Sequence, residues 1–422
     1  MKRHIAKKIE VIAKLPALPV LLAFRPHFSI ACGQDARAPR GFAITSIVML
    51  FLALFICASF VNINAANAAN TNNAVDTNNA ADTNDNDEVI ITFAAVGDIM
   101  IGLNWPENRQ GLPPEDGALT FDSVKEVLRS ADITFGNLEG VFLDSGGVPK
   151  KCSNPDLCFN FRMPERYVKH LVDAGFDLMS IANNHIGDFG DPGREATMRV
   201  LREAGIGFAG LERRAETYIL EKDGIRYGFV AFAPNSATVN FHNLTKAKNL
   251  ISDVKKESDI VIVSMHIGKE RDSDVSRVTR KTEMFLGENR GNPYEFARVA
   301  IDAGADMVFG HGPHVPRAID LYKGKFIAYS LGNFATNANI SIVGKNGYAP
   351  IVTIRTDRQG NFIDGEIISA IQRGEWGARR PFLDPTGACI KEIKNLTEMD
   401  IPEAEIVISD DGKIRSSRSR AR

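Results

Sequence analysis

The sequence predicts an α/β fold behind a single membrane-spanning helix, on three observations. From Val89 onward, short apolar runs alternate with longer amphipathic segments, the habit of a layered α/β domain. The unit Asp-Ala-Gly-x-Asp occurs twice, at residues 173–177 and 302–306, each time where a helix closes on Gly and turns into a strand. Ahead of both, residues 42–63 read FAITSIVMLFLALFICASFVNI, without a charge and about the length a helix needs to cross a bilayer's hydrocarbon core.

Residues 1–41 form a basic segment in which Lys2, Arg3, Lys7, Lys8, Lys14, Arg25, Arg37 and Arg40 precede the apolar run. The positive-inside tendency keeps that segment cytoplasmic, makes residues 42–64 a transmembrane anchor and sends the rest of the chain outward. Ala66-Asn67-Ala68 offers a signal-peptidase site as the alternative, which would release a secreted protein. The long stretch before the apolar run favours the uncleaved anchor. Residues 65–87, rich in Asn and without large apolar side chains, bury too little to offset the entropy of ordering and read as a disordered linker. A folded domain is expected over residues 88–400. Residues 401–422, with Arg415, Arg418, Arg420 and Arg422 among serines, read as a flexible tail.

The 422 residues are 44% apolar and 24% charged, a globular balance. A net charge of −2 with no broad basic field argues against nucleic acid as a partner. Cys152 and Cys158 share a polar loop and, in an oxidising compartment, would close a small disulfide-bonded loop, while Cys389 lacks an evident mate.

Within the domain, IITFAAVGDIM is the first strand, ending at Gly97-Asp98. Phe121 to Ser130 reads as a helix, and Asp132 to Phe135 as a strand running into Gly136-Asn137-Leu138-Glu139-Gly140. Pro164 to Ala174 is a helix with Gly175 as C-cap, followed by a strand from Asp177 to Ala182 that leads to Asn183-Asn184-His185. Tyr227 to Phe232, Ile260 to Met265 and Phe326 to Leu331 are further strands, the second ending in His266-Ile267-Gly268-Lys269-Glu270. Ala305 to Phe309 is a buried strand that ends where Gly310-His311-Gly312-Pro313-His314 begins. Ile351 to Ile354 and Phe362 to Ile368 flank a turn at residues 357–361, and Thr386 to Leu396 is a closing helix.

Seven polar residues share one address in this pattern: Asp98, Glu139, Asn184, His185, His266, His311 and His314 all follow an apolar run, beside Gly or another small residue. Seven such groups on one rim are costly to desolvate unless a cation gathers them, and one or two divalent metal ions would do so. Each has a duller reading: Asp98 and Asn184 as caps or turn formers, Glu139 as a solvated loop carboxylate, the histidines as core or surface residues. Asn333 reads as a turn residue, Glu270 and Arg271 as surface charges or contacts to an anionic chain, and Tyr329 as packing.

The runs VGDIM, ADITFGNLEG, DLMSIANNHIGDFG, IVSMHIGKE and GADMVFGHGPHV, followed by YKGKFIAYSLGNF, resemble the successive motifs of the CapA family, the poly-γ-glutamate capsule synthesis proteins, over about residues 90–400. That family is similar to the calcineurin-like metallophosphoesterases, which implies a four-layer α/β/β/α sandwich with a metal site at the strand ends. By this resemblance Asp98 binds a first metal with His314, Glu139 bridges, and Asn184, His266 and His311 bind a second; the ions are Mn, Fe or Zn. His185 takes the place of the general acid. Phosphoesterases usually carry a His two residues after the first Asp, where this chain has Met100, a poor partner for a hard cation. CapA proteins more often have a second His where this chain has Gly312. The implied function is a membrane-anchored extracytoplasmic capsule-synthesis protein with a metal-dependent hydrolase or transferase site for an amide or (phospho)ester. The implied partners are an anionic polymer substrate and membrane-bound capsule synthesis proteins. The alternatives are a non-catalytic polymer-binding or export component, or a general extracytoplasmic metallophosphoesterase.

Overall fold

A computed structural model describes residues 89–152, 154 and 158–418. The basic segment, the anchor at 42–64 and the linker at 65–87 lie outside the described residues. Among those described, no helix is long and apolar enough to cross a membrane.

The fold is mixed α/β, as expected, and is built on two sheets. One has nine strands, in the order Ile406–Ile408, Lys413–Ser416, Phe362–Ile368, Ile351–Thr356, Ile91–Met100, Ile133–Leu138, Leu178–Ser180 and Gly207–Ala209. Its ninth, Asn333–Thr336, pairs parallel with the far end of Ile91–Met100. The other has six, in the order Ile319–Tyr322, Lys325–Ala328, Met307–His311, Ile260–His266, Ile225–Phe232 and Thr217–Lys222. Central strands are buried on both faces, which is why they read as continuous apolar runs. Ile91, Phe93, Ala95, Ile133 and Phe135 share one apolar cluster with Phe229, Ile262, Met307 and Phe309 of the second sheet. There Phe135 stacks on Phe309 with ring centroids 5.2 Å apart. Ala94 and Val96, on the opposite face, share a cluster with Leu128, Leu171, Val200 and Leu201 of the helices Lys125–Arg129, Val168–Ala174 and Gly190–Glu203. Val261, Val263 and Val308 do likewise with Ile251, Val254, Phe296 and Ala300 of Leu244–Glu257 and Pro293–Asp302.

The repeated Asp-Ala-Gly-x-Asp turn has a structural explanation. Its last Asp accepts the backbone N–H at the start of the neighbouring strand: Asp177 from Thr134 and Asp306 from Val261, both at 2.8 Å. Asp132 and Asp259, which also precede strands, do the same for Thr92 at 2.7 Å and Arg226 at 2.8 Å. These carboxylates satisfy backbone donors at the starts of interior strands that would otherwise be left unpaired. Gly175 caps its helix in the left-handed region, at φ 83°, as expected.

Four expectations are corrected. The first strand continues through Asp98 to Met100, with a register shift at Asp98/Ile99, so Asp98 lies inside it. His311 is likewise the last residue of its strand, and only His314 stands in the loop. The helix expected over residues 121–130 is confined to Lys125–Arg129. The tail is no tail up to residue 418: Ile406–Ile408 and Lys413–Ser416 form the edge of the nine-stranded sheet because Ile406, Ile408 and Ile414 are buried in its core. Arg418 is ion-paired with Glu405.

Two glycines let the backbones close around the future site. A Cβ on Gly97 would lie 1.9 Å from the Gly332 carbonyl oxygen, and one on Gly310 would lie 2.1 Å from that of Tyr329. Each glycine directly precedes a site residue, Asp98 or His311. Gly310→Ala is therefore expected to force the strands apart and destabilise the protein by several kcal/mol, on the order of a severe core defect. A thermal midpoint within a degree of wild type would contradict this.

Candidate metal centre

Asp98, fully buried, is approached from several strands. Its Oδ1 accepts Asn137 Nδ2 at 2.8 Å and lies 3.3 Å from His311 Nδ1; its Oδ2 lies 3.0 Å from His314 Nδ1. The same His314 nitrogen faces Asn333 Oδ1 at 3.0 Å and Glu139 Oε2 at 3.6 Å. One ligand atom each from Asp98, Glu139 and His314 fall within 4.8 Å of one another. His266 is placed beside His311 by the register of their adjacent parallel strands. The loop that delivers His314 is tight: Gly312 has φ 111° and His314 itself is left-handed at φ 59°. That conformation costs a residue other than Gly roughly 1–3 kcal/mol and persists only where the surroundings impose it. A side chain at residue 312 would be strained in this conformation.

Many of these polar atoms lack partners. Both oxygens of Glu139, both ring nitrogens of His266, both of His311 and Oδ1 of Asn184 are buried without a hydrogen-bond partner among the described residues. Buried polar groups are nearly always paired, so a cluster of orphaned carboxylate, amide and imidazole donors fits the ligand set of a divalent cation. The electrostatics agree. Burial pushes the Glu139 carboxyl well above its usual range, with the Asp98, Glu270 and Asp188 charges adding to this and His314 opposing it. Burial alone would lower the His314 imidazole, but Glu139 and Asp98 outweigh it and push it up to about 10. Burial alone would raise Asp98, but the His311 and His314 imidazoles beside it, at 3.3 and 3.0 Å, hold it far below the usual carboxylate range. Burial lowers His266 well below the ordinary imidazole value, favouring the neutral form that metals take.

The turn that follows Leu178–Ser180 is hooked to this cluster through Asn183. Its Nδ2 donates to Leu138 O at 2.8 Å and to Asn137 Oδ1 at 3.2 Å, while its Oδ1 accepts the backbone N–H of His185 and Ile186. His185 stacks on Phe161, centroids 3.9 Å apart, and its Nδ1 lies 2.7 Å from Asp188 Oδ2. Asp188 is fully buried and also accepts Phe161 N–H at 2.6 Å and pairs with Lys150 Nζ at 2.5 Å. Burial lowers the His185 imidazole, opposed by Asp188. Lys150 Nζ also donates to the Asn184 carbonyl at 3.1 Å. Next to it, Cys152 and Cys158 are joined in a disulfide, and Cys389 is free and buried.

The structure therefore brings Asp98, Glu139, His311 and His314 into direct proximity and sets His266 beside them. Asn184 and His185 stand on the tethered turn, and their side chains make no hydrogen bond or ion pair with the other five among the described residues. Met100 is buried in the apolar cluster under the helices, so no metal donor stands two residues after Asp98.

The family model for bacterial capsule synthesis protein PGA_cap matches residues 92–338, more than half of the chain. The chain belongs to this family. Two curated relatives are the capsule biosynthesis protein CapA of Bacillus anthracis, 30% identical over 267 residues, and the PGA biosynthesis protein CapA of Bacillus subtilis, 29% identical over 261. Each alignment covers 58% of this chain, and 59% and 63% of the respective relatives, so the chain spans about three fifths of their length. Among solved structures, a 5'-nucleotidase precursor from Thermus thermophilus is similar with a TM-score of 0.37 and 10% identity, over 70% of this chain and 54% of that one.

All seven expected residues fall inside the PGA_cap match. Sequence reasoning missed others in the same place. Asn333, read as a turn residue, opens a strand and faces His314. Glu270, read as a surface charge, is only 8% exposed. Asn137 and Asp188 carried signals: one stands two residues before Glu139, the other three after His185. Asn183 was hidden by its twin Asn184.

Proposed function

We propose that this PGA_cap protein acts in the synthesis of an anionic capsule polymer of the poly-γ-glutamate kind, outside the cytoplasm, through a metal-dependent hydrolase-like site. The observation that carries the reading is the buried convergence of Asp98, Glu139 and His314 beside His266 and His311, with so many of their donors unpartnered. One or two divalent ions, Mn, Fe or Zn, held by Asp98, Glu139, Asn184, His266, His311 and His314 would serve as a Lewis acid toward an amide or (phospho)ester. The helices against the outer faces of the paired sheets support the four-layer α/β/β/α plan of the metallophosphoesterases. The apolar run at 42–64 supports a membrane anchor, with neighbouring capsule-synthesis proteins as partners in the membrane.

His185 is the group for proton transfer. Asp188 holds its Nδ1, which leaves Nε2 to meet the substrate, and Phe161 covers one ring face and excludes water from it. Lys150 supplies the counter-charge to Asp188 and fixes the turn. The burial of Met100 favours a second reading, in which fewer donors remain for the first ion and the site binds polymer carboxylates without turnover.

The two readings part on His185→Ala in the full-length protein. Catalysis predicts retained metal content with polymer output reduced about 10²–10⁴-fold, the range of general acid–base contributions. Retained metal with unchanged output would overturn catalysis and leave the binding reading.

A further inference from the structure

We infer that Glu270 is a positioning residue for the metal centre: its carboxylate takes the Nε2–H of His314 and so commits Nδ1 to the metal. This rests on the metal reading above. The two edges of the His314 ring face different company. Nδ1 points to oxygens of Asp98, Asn333 and Glu139 at 3.0, 3.0 and 3.6 Å, whereas Nε2 has Glu270 Oε2 at 3.9 Å. A neutral imidazole that gives Nδ1 to a cation carries its proton on Nε2, and that N–H needs an acceptor. Glu270 is the carboxylate on that side.

Glu270 is held for the task. It is 8% exposed, and its Oε1 lies 3.3 Å from Arg290 Nη2, a guanidinium that is itself buried. Arg290 supplies the counter-charge that a carboxylate in so dry a place needs, and the Phe285 ring lies against that guanidinium, 5.4 Å from centroid to Cζ. Backbone pairing adds rigidity: Gly268 N–H donates to the Arg290 carbonyl at 2.9 Å, Arg290 N–H to that of Glu283 at 2.8 Å, and Glu283 N–H to that of Gly291 at 2.7 Å. Arg290, Glu270 and His314 thus form a line from the 268–291 segment to the metal-facing nitrogen. The loop holding His314 has few other means of fixing the ring, since only Nδ1 has hydrogen-bond partners in the cluster.

The test uses the full-length protein, with wild type, Glu270→Gln, Arg290→Lys and Asp98→Asn titrated with Mn²⁺ alone by calorimetry. Partners of metal-ligating imidazoles typically carry about 10–100-fold in affinity, and that loss is expected for Glu270→Gln, with a smaller loss for Arg290→Lys. Equal metal-free melting midpoints for wild type and Glu270→Gln would separate this from misfolding. In the Zn²⁺-loaded protein, ¹⁵N spectra of the His314 ring supply a readout that a merely structural role would not move: Nδ1 metal-bound and Nε2 protonated. Wild-type affinity in Glu270→Gln, or zinc on Nε2, would overturn the inference while leaving the metal reading intact. Failure of wild type itself to bind Mn²⁺ would overturn both.

Discussion

Asp98→Asn is expected to lower Mn²⁺ affinity by more than about 100-fold, beyond the loss from a residue that only supports a ligand. The carboxylate sits where the Asn137 amide, His311 and His314 converge, so both its oxygens are engaged at once. An amide is nearly the same size, but its nitrogen presents hydrogens toward groups that are already donors. It has neither the charge nor the second acceptor that a cation needs. The effect is visible without any enzyme assay. Metal present at 100 times its Kd stabilises a folded protein by about 2.7 kcal/mol, and chelation removes that gain. Wild type should therefore melt higher with Mn²⁺ and return to its baseline with a chelator, while Asp98→Asn should not respond. An equal shift in the variant would remove Asp98 from the donor set.

The second large effect is expected away from the metal. Arg317 and Glu283 form a two-pronged ion pair with both N···O distances at 2.9 Å, and their side chains are 0% and 2% exposed. Arg317 Nε also donates to the Val275 carbonyl at 2.8 Å, and Glu283 Oε2 accepts Lys269 N–H at 2.8 Å. The pair thus pins the 268–291 segment, which carries Glu270 and Arg290, to the chain just after His314. Removing one partner strands a buried charge, and the cost of that is about 3–5 kcal/mol. Arg317→Met should lower stability by this amount, read as a shift of the urea midpoint. Arg317→Met with Glu283→Leu should recover part of it, because two apolar side chains leave no buried charge, although the Val275 carbonyl and the Lys269 N–H then lose their side-chain partners. A double variant worse than the single would mean that the pair itself, rather than the stranded charge, carries the stability.

What the sequence made legible follows from the size of each signal. Asp98, His266 and His311 were found because buried parallel strands are long unbroken apolar runs, and a charged or imidazole side chain at their end stands out. Glu139 and His314 followed from the glycines around them. Glu270 was missed because Lys269 and Arg271 flank it and make the stretch look solvated, whereas the fold turns Glu270 inward and Lys269 toward Asp272 and Asp274. Asn333 was missed because a turn and a strand start look alike over four residues. The edge strands at 406–408 and 413–416 are too short for periodicity to separate them from a tail; Lys413–Ser416 is ordered by pairing with Phe362–Ile368, and Ile406–Ile408 by pairing with Lys413–Ser416. The same limit hid Gly207–Ala209, while Thr217–Lys222, largely half-exposed at a sheet edge, lacks the apolar run that marks its neighbour. The disulfide between Cys152 and Cys158 was legible from their sharing one short polar loop, given an oxidising compartment, and it is present.

The proposed metal centre requires side chains from distant parts of the chain to hold a cation in one buried place. Its most direct test is anomalous diffraction from crystals of the protein grown with Mn²⁺. A peak is expected in contact with Asp98, Glu139 and His314, with His266 and His311 turned toward the same centre. A metal-loaded crystal with no peak among these residues would contradict it.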